Sequence, residues 1–308
     1  MPKRSAIPPD LPVFAGLPVS FVHRGGGASA AVHVGGRLGF GRLPVVCVPG
    51  HVRNMSDFMT FATAMRNLLG MDWPHVLIDL PGRGRAGWRA DKTQYTSPQD
   101  AEMLATVLKA LAIDRAILVG LGQGGQVIMA LGAIRPSTIA AAILIDAGPL
   151  TDPRGLVRQR TNLGHVLSSR SEVQAVGALR RILATDYPGR DAAALDKLAA
   201  RLFVTAGRSR PLPLFDPALV ERLKGFSADD EFVPQWPLFN TLATASLMLL
   251  RTQLTDRLRK EVFEEMARRR PDAVTFTISD QGSPALLDGA DETGAIADFI
   301  TYVQKLKG

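Results

Sequence analysis

The sequence predicts an α/β protein built on a mostly parallel, doubly wound sheet. Short apolar runs typical of buried strands alternate with segments of helical periodicity over residues 45–145. The same alternation resumes after about residue 240. Parallel strands joined by helices need helices on both faces of the sheet, which accounts for apolar runs without a polar side.

In the first half of the chain, predicted strands alternate regularly with predicted helices. The predicted strands are Val19–His23, Ala30–Val34, Val45–Val48, His75–Asp79, Ala116–Val119 and Ile139–Ile145. Helical spacing marks residues 56–69 and Gln126–Ile134. A further helix is predicted from Ser97, the expected N-cap, with Pro98 as the first helical residue.

In the second half of the chain, the alternation of strands and helices resumes after an interruption. Residues 151–239 contain helical segments, loops and several prolines, but few strand signals. Strands are then predicted at Leu247–Leu250 and Val274–Ile278, and helices at Arg257–Arg269 and Glu292–Leu306. We therefore expect one core formed by residues 1–150 and 240–308, interrupted by a helical segment over 151–239.

Composition excludes several classes of protein. The 308 residues are 46% hydrophobic and 21% charged, as in soluble globular proteins. The single cysteine, Cys47, excludes a disulfide framework and a Cys-based zinc site, and its apolar neighbours predict a buried strand thiol.

The formal net charge of +7 raises the question of nucleic-acid binding. Aromatic residues make up only 6% and do not alternate with basic ones, so we expect no nucleic-acid partner. A solvated basic surface is predicted instead, because the arginines are spread along the chain: Arg83, Arg85, Arg89, Arg180, Arg181, Arg208, Arg210 and Arg268 to Arg270.

No membrane or export segment is predicted. Met1–Phe14 is polar and rich in proline, without the apolar region of a secretory signal. Ala116–Ile134 carries no charge over 19 residues, a length that can cross a bilayer. Its central glycine cluster, however, favours a strand, a sharp turn and a helix. The expected location is cytoplasmic.

That glycine cluster, Gly120-Leu-Gly-Gln-Gly-Gly125, has two interpretations. It fits the dinucleotide fingerprint G-x-G-x-x-G, with Asp146 at the end of the next strand, which predicts a Rossmann-type NAD(P)-dependent oxidoreductase. It also fits the frame of a nucleophile elbow, G-x-S-x-G, with Gly122 at the central position.

Two upstream segments and one downstream segment favour the elbow. Pro44-Val-Val-Cys-Val-Pro-Gly-His51 resembles the strand and oxyanion loop of the α/β-hydrolase family. Asp79-Leu-Pro-Gly-Arg-Gly-Arg-Ala-Gly-Trp88 resembles its D-x-x-G-x-G-x-S-G-W segment, and Gln281-Gly-Ser-Pro-Ala-Leu-Leu-Asp288 its C-terminal G-H-x-P segment. The resemblance implies an α/β-hydrolase fold with a helical cap, residues 151–239, between strands six and seven, and no cofactor or metal.

The chain departs from this family at the positions of the nucleophile and the catalytic histidine. Gly122 occupies the nucleophile position, and Ser283 occupies the position of the catalytic histidine. No histidine follows His165, so the order Ser…Asp…His cannot be completed. The resemblance places the acid at Asp256, with Asp146 as the alternative.

The oxyanion-binding groups of this family are backbone N–H groups, which side-chain substitutions do not remove. The resemblance places the two oxyanion-binding N–H groups on His51 and Gln123. We therefore expect a hydrolytically degenerate member that binds a small molecule or a partner. The alternative is a hydrolase or lyase that acts without a triad, through His51 and Asp256. The sequence sets neither the ligand nor the oligomeric state.

Overall fold

The computed structural model of the protein describes residues 11–25, 28–204 and 211–306. Residues 1–10 of the segment Met1–Phe14 therefore lie outside the described residues, as do Arg208 and Arg210.

Strands and helices alternate along the described chain as the sequence predicts. The strands are β1 (Ser20–Arg24), β2 (Ala28–Gly35), β3 (Val45–Val48), β4 (His75–Asp79), β5 (Ala116–Leu121), β6 (Ile139–Ile145), β7 (Phe203–Val204), β8 (Leu212–Pro213), β9 (Ser246–Thr252) and β10 (Val274–Ile278). The helices are α1 (Met59–Leu69), α2 (Ser97–Ala110), α3 (Gln123–Ile134), α4 (Pro153–Leu167), α5 (Glu172–Asp186), α6 (Ala192–Ala200), α7 (Ala218–Glu221), α8 (Trp236–Asn240), α9 (Lys260–Arg269) and α10 (Ala290–Lys305).

Eight of these strands form one sheet in the order β1-β2-β4-β3-β5-β6-β9-β10. The β1–β2 and β2–β4 pairs are antiparallel, and every pair from β4 to β10 is parallel. The predicted mostly parallel sheet is thus confirmed. Because parallel strands end at the same edge, the loops that follow β3, β5, β6 and β9 meet there.

Alternate strand residues enter two separate apolar layers. Val46, Val48 and Leu118 pack with helices α2, α3 and α9 on one face. Cys47 and Ile143 pack with α1 and α10 on the other. Both faces are covered, which explains why the strands are apolar throughout, and Cys47 is buried as predicted.

The segment between β6 and β9 is mainly helical and has its own apolar core. Leu163, Leu179 and Phe203 belong to that core, which also includes Val52 from the loop after β3. A backbone hydrogen bond of 2.7 Å from Gly84 to the Leu214 carbonyl ties the segment to the loop after β4. Helices α4 to α7 contribute to this separate core, whereas Phe239 of α8 packs with α3 in the core on one face of the sheet.

Some predicted element boundaries were wrong. The N-cap of α2 is Thr96, whose hydroxyl accepts from the Gln99 N–H, so Ser97 is the first helical residue. Helix α3 begins at Gln123 rather than Gln126, because the turn at Gly122 is completed within one residue. Helix α9 begins at Lys260 rather than Arg257, since Arg259 has an extended backbone.

The prediction that the arginines form a solvated surface was wrong for part of the set. Arg83 and Arg89 are buried, with 1% and 3% of their surface exposed. Both bind the buried carboxylate of Asp100 at 3.0 Å, which compensates the cost of removing these charges from water.

None of the helices in the described ranges is both long enough and apolar enough to cross a membrane. The uncharged stretch Ala116–Ile134 forms β5 and α3, as the glycine cluster predicts.

Candidate functional site

Gly122 occupies the tight turn between β5 and α3. Its backbone, with φ 51° and ψ −114°, lies in a region that residues with a Cβ rarely adopt. Its N–H donates to the Ile145 carbonyl at 2.8 Å. A Cβ added at this position would meet no heavy atom within 4 Å. The position is therefore open, and glycine is favoured there by conformation rather than by space.

The other glycines of the cluster are required by packing. A Cβ at Gly124 would collide with the Val48 carbonyl oxygen, and one at Gly125 with the Cβ of Ala147. A Cβ at Gly120 would approach the Gly125 nitrogen to 2.5 Å. The first turn of α3 can thus lie directly against the ends of β3 and β6.

The two predicted backbone donors come together beside Gly122. Gln123 is the first residue of α3, so its N–H has no acceptor within the helix and lies at the positive end of the helix dipole. His51 lies in the loop after β3, and its ring contacts the Gln123 side chain at 2.6 Å. His51, Gly122 and Gln123 all line one cavity.

Arg83 holds the loop of His51 and the side chain of Gln123 in place. Its Nε donates to the His51 carbonyl at 2.5 Å, and its Nη1 donates to the Pro81 carbonyl at 2.9 Å. Its Nη2 lies 3.2 Å from the Gln123 side-chain oxygen and 3.0 Å from Asp100. One buried guanidinium therefore links the loop after β3 to the first residue of α3.

The imidazole of His51 is fully engaged. Nδ1 faces the Gln123 side-chain oxygen at 2.6 Å, and Nε2 faces the Leu219 carbonyl of α7 at 2.9 Å. Burial and the nearby Arg83 charge lower the pKa of His51 to about 4, against the opposite effect of the two acceptors. The lowered pKa favours the neutral ring, which has one N–H and can donate to only one of these two oxygens, although both ring nitrogens face protein groups.

Ser283 and Asp146 meet at the cavity that Gly122 also lines. The Ser283 side chain is hydrogen-bonded to the Asp146 carboxylate. Asp146 also accepts from the Thr252 N–H at 2.8 Å and from the Thr252 hydroxyl at 2.7 Å. Burial raises the pKa of Asp146 to about 6, despite these hydrogen bonds. The structure thus places Asp146 against the residue at the histidine position.

Asp256 is bound elsewhere. Its carboxylate forms an ion pair with Arg158 of α4 and lies 3.4 Å from the Nε of Arg257. Arg158 also pairs with Asp186 at 2.8 Å. The geometry therefore favours Asp146 over Asp256 as the acid position, and it does not join Asp256 to His51 through a hydrogen bond. The assignment of the acid remains a prediction.

These groups surround a cavity of about 650 Å³. Its base is formed by the ends of the core strands, including Gly122, Asp146 and Ser283. Its far wall comes from the helical segment and carries mainly apolar side chains: Leu156, Leu163, Ile182, Leu183, Leu223 and Phe226. The cavity can therefore accommodate an amphipathic molecule with its polar end toward Gly122.

Sequence reasoning missed Arg83, Arg158 and Arg257 as residues of this site. The only signal was the place of Arg83 within the Asp79–Trp88 segment. Among the described residues, no three His, Cys, Asp or Glu side chains come together in a way that could hold a metal ion.

A model of the alpha/beta hydrolase family matches residues 45–296, most of the chain. The chain therefore belongs to this family, and the Rossmann alternative is wrong. The structure is similar to the crystal structure of an alpha/beta hydrolase from Novosphingobium aromaticivorans, with a TM-score of 0.79 and 29% identity over 92% of this chain and 98% of that one. E-2-(acetamidomethylene)succinate hydrolase shares the fold, with a TM-score of 0.73 and 19% identity over 92% and 99% of the two chains.

Curated relatives match over shorter regions. A 3-hydroxybutyrate-oligomer hydrolase of Cupriavidus necator is 29% identical over 141 residues, 46% of this chain and 47% of the relative. An esterase of Mycobacterium tuberculosis is 34% identical over 82 residues, 27% of each chain. The matched regions thus span half or less of these relatives.

Replacing Gly122 with alanine tests the strain at the turn. Gly122→Ala should lower the free energy of unfolding by about 1–3 kcal/mol, because the backbone is unfavourable for a Cβ. Gly177→Ala is the matched control, since a Cβ there also meets nothing within 4 Å but the residue lies in α5. It should be neutral or stabilising by up to about 1 kcal/mol. Urea denaturation of both variants measures the difference, and equal effects would contradict the strain argument.

The lowered pKa of His51 predicts a pH dependence of stability. The unfolded chain takes up a proton near the ordinary value of 6.5, whereas the folded protein does so only near 4. The His51 contribution is therefore retained above pH 6.5 and lost as the pH falls toward 4. Relative to His51→Gln, wild type should lose about 2 kcal/mol of stability between pH 7 and pH 5. Denaturation curves across this range measure it, and an NMR titration of the His51 ring near pKa 6.5 would disprove it.

Proposed function

Starting from membership of the α/β-hydrolase family, we propose that this protein binds a small organic molecule without forming an acyl-enzyme. The residue that carries the proposal is Gly122. In this family the central residue of the elbow supplies the attacking atom, and glycine has no side chain to attack or to form a covalent bond. The proposed site is the cavity above Gly122.

Neither Ser283 nor His51 offers a substitute base for an attacking hydroxyl. Ser283 has no useful basicity at neutral pH, and the His51 ring is held between Gln123 and Leu219. Asp256, the partner of His51 in the alternative mechanism, is paired with Arg158. These contacts support ligand binding over hydrolysis through His51 and Asp256.

The ligand-binding features of the site persist without the nucleophile. The N–H groups of His51 and Gln123 belong to the backbone, and a carbonyl oxygen of a ligand is the natural acceptor for them. The helical segment 151–239 acts in this proposal as a cap that supplies the apolar wall over the core, residues 1–150 and 240–308. The relatives' names include an esterase and an oligomer hydrolase, and so we propose a ligand with a carbonyl group and an apolar chain.

Binding can be tested with a panel of small esters, amides and ketones that carry apolar chains. A ligand that binds the folded state raises the melting temperature by mass action. Leu156→Trp, which fills the cavity wall, should abolish this shift. Val173→Trp is the control, because Val173 is 82% exposed on α5 and does not line the cavity. If no compound gives a shift that Leu156→Trp removes, the proposal is wrong.

Restoring the vacated positions tests the absence of the triad. Wild type, Gly122→Ser and Ser283→His should show no burst of product with activated short-chain esters, because losing a nucleophile costs on the order of a million-fold in kcat. The double variant Gly122→Ser with Ser283→His should be the first to show turnover, and the open space at Gly122 accommodates the added side chain.

The double variant Gly122→Ser with Ser283→His also identifies which aspartate is the acid of the triad. Added to the double variant, Asp146→Asn should reduce kcat by a factor on the order of 10⁴, since the acid orients the imidazole and stabilises its charge. Asp256→Asn should leave most of the activity, because Asp256 faces Arg158. The reverse ranking would move the acid to Asp256, and a stoichiometric burst in wild type would contradict the proposed function itself.

A further inference from the structure

We propose that Arg257 makes the cavity selective for a carboxylate joined to an apolar chain. This inference rests on the proposed function, since it names the class of ligand that the same cavity takes. It depends on the position of Arg257, on its incomplete pairing and on the apolar wall that faces it.

Arg257 lies at the base of the cavity. It follows β9 in the loop that leads to α9, and it lines the same cavity as Gly122 and Ser283. Its side chain is only 18% exposed. Burial and the charge of Arg83 lower the pKa of His51, and the charge of Arg257 contributes to the same effect. The guanidinium therefore belongs to the same cavity as His51 and Gln123.

The charge of Arg257 is incompletely paired. Its Nη1 donates to the Gln159 side-chain oxygen at 3.1 Å, and its Nε lies 3.4 Å from Asp256, which is long for a charge-assisted hydrogen bond. Asp256 instead makes its closer contact with Arg158. A guanidinium has five N–H donors, and within the described parts of the chain these two contacts are the ones its side chain makes.

Arg53, in contrast to Arg257, is fully paired with a carboxylate of the protein. Arg53 also lines the cavity, but Asp57 binds it through two donors, with Nε to Oδ2 at 2.6 Å. Despite burial, its bond to Asp57 raises the pKa of Arg53, whereas burial lowers the pKa of Arg257. Among the described residues Arg257 has no such two-point carboxylate partner, and a ligand carboxylate would supply one.

The acidic residues of the cavity restrict where an anion can lie. Asp186 is paired with Arg158, and Asp146 is bound by Thr252 and Ser283. Glu231 is exposed and also lines the cavity. Arg257 and the N-terminal turn of α3 therefore offer a carboxylate a favourable place at the core side of the cavity.

The rest of the cavity suits the apolar part of such a ligand. The wall formed by α4, α5 and the loop beyond α7 presents Leu156, Leu163, Ile182, Leu183, Leu223 and Phe226. A volume of about 650 Å³ exceeds what a carboxylate alone requires. The geometry thus favours an aliphatic or aryl-alkyl acid.

The test compares octanoate with octanamide, which have the same shape but differ in charge. Isothermal titration calorimetry at neutral pH should show octanoate binding wild type at least about tenfold more tightly, as expected for a charge-assisted contact. This comparison needs no variant, so it stands even if substitution of Arg257 impairs folding.

Variants assign the preference to Arg257. Arg257→Gln should abolish the preference for octanoate, and Arg257→Lys should retain part of it. Arg268→Gln is the matched control: it removes the same charge from an exposed position on α9 that pairs with Glu265, and it should bind as wild type. Retention of the full preference in a folded Arg257→Gln variant would overturn the proposal.

The outcomes separate this inference from the proposed function. If octanamide and other neutral compounds bind as tightly as octanoate, and Leu156→Trp removes that binding, the proposed function stands and the role of Arg257 is wrong. If neither octanoate nor any neutral compound binds in a manner that Leu156→Trp removes, both proposals are wrong.

Discussion

The site depends on the close packing of the first turn of α3 against the carboxyl ends of β3 and β6. Gly124 allows the helix to approach the Val48 carbonyl, and Gly125 allows it to approach Ala147. A side chain at either position would push the helix away from the sheet. Because the helix starts this close to the sheet edge, Gly122 lies between the loop after β3 and the loop after β6. Residues from distant parts of the sequence, among them His51, Gly122 and Asp146, therefore line one cavity.

Arg83 adds a second constraint, and its position explains why a buried charge is tolerated. Each of its three nitrogens faces an oxygen, among them the carbonyls of His51 and Pro81 and the carboxylate of Asp100. A buried cation with this many partners is strongly held in one orientation, since breaking any contact leaves a desolvated group behind. The loop that carries His51 is therefore fixed relative to Gln123, and the two backbone donors keep their geometry without a ligand.

The sequence was sufficient for the fold and for the positions at the sheet edge. Strands were predictable because both faces of the sheet are covered, which leaves uninterrupted apolar runs, and Gly122 was located by the glycines around it. The choice between Asp146 and Asp256 was not predictable, because both follow strands that are adjacent in the sheet, β6 and β9. The burial of Arg83 and the incomplete pairing of Arg257 were also missed, since they depend on contacts between residues far apart in the chain.

The structure separates what the fold provides from what individual side chains provide. The N–H groups of His51 and Gln123 and the helix dipole follow from the backbone after β3 and at the start of α3, and they survive side-chain changes that leave the packing intact. The nucleophile and the base depend on one side chain each. Glycine at position 122 removes the attacking group and, in the same change, the strain that a Cβ would bring to φ 51°. Under the proposed function, the absence of an attacking group and the relief of backbone strain therefore coincide at this turn, while other residues form the walls of the cavity.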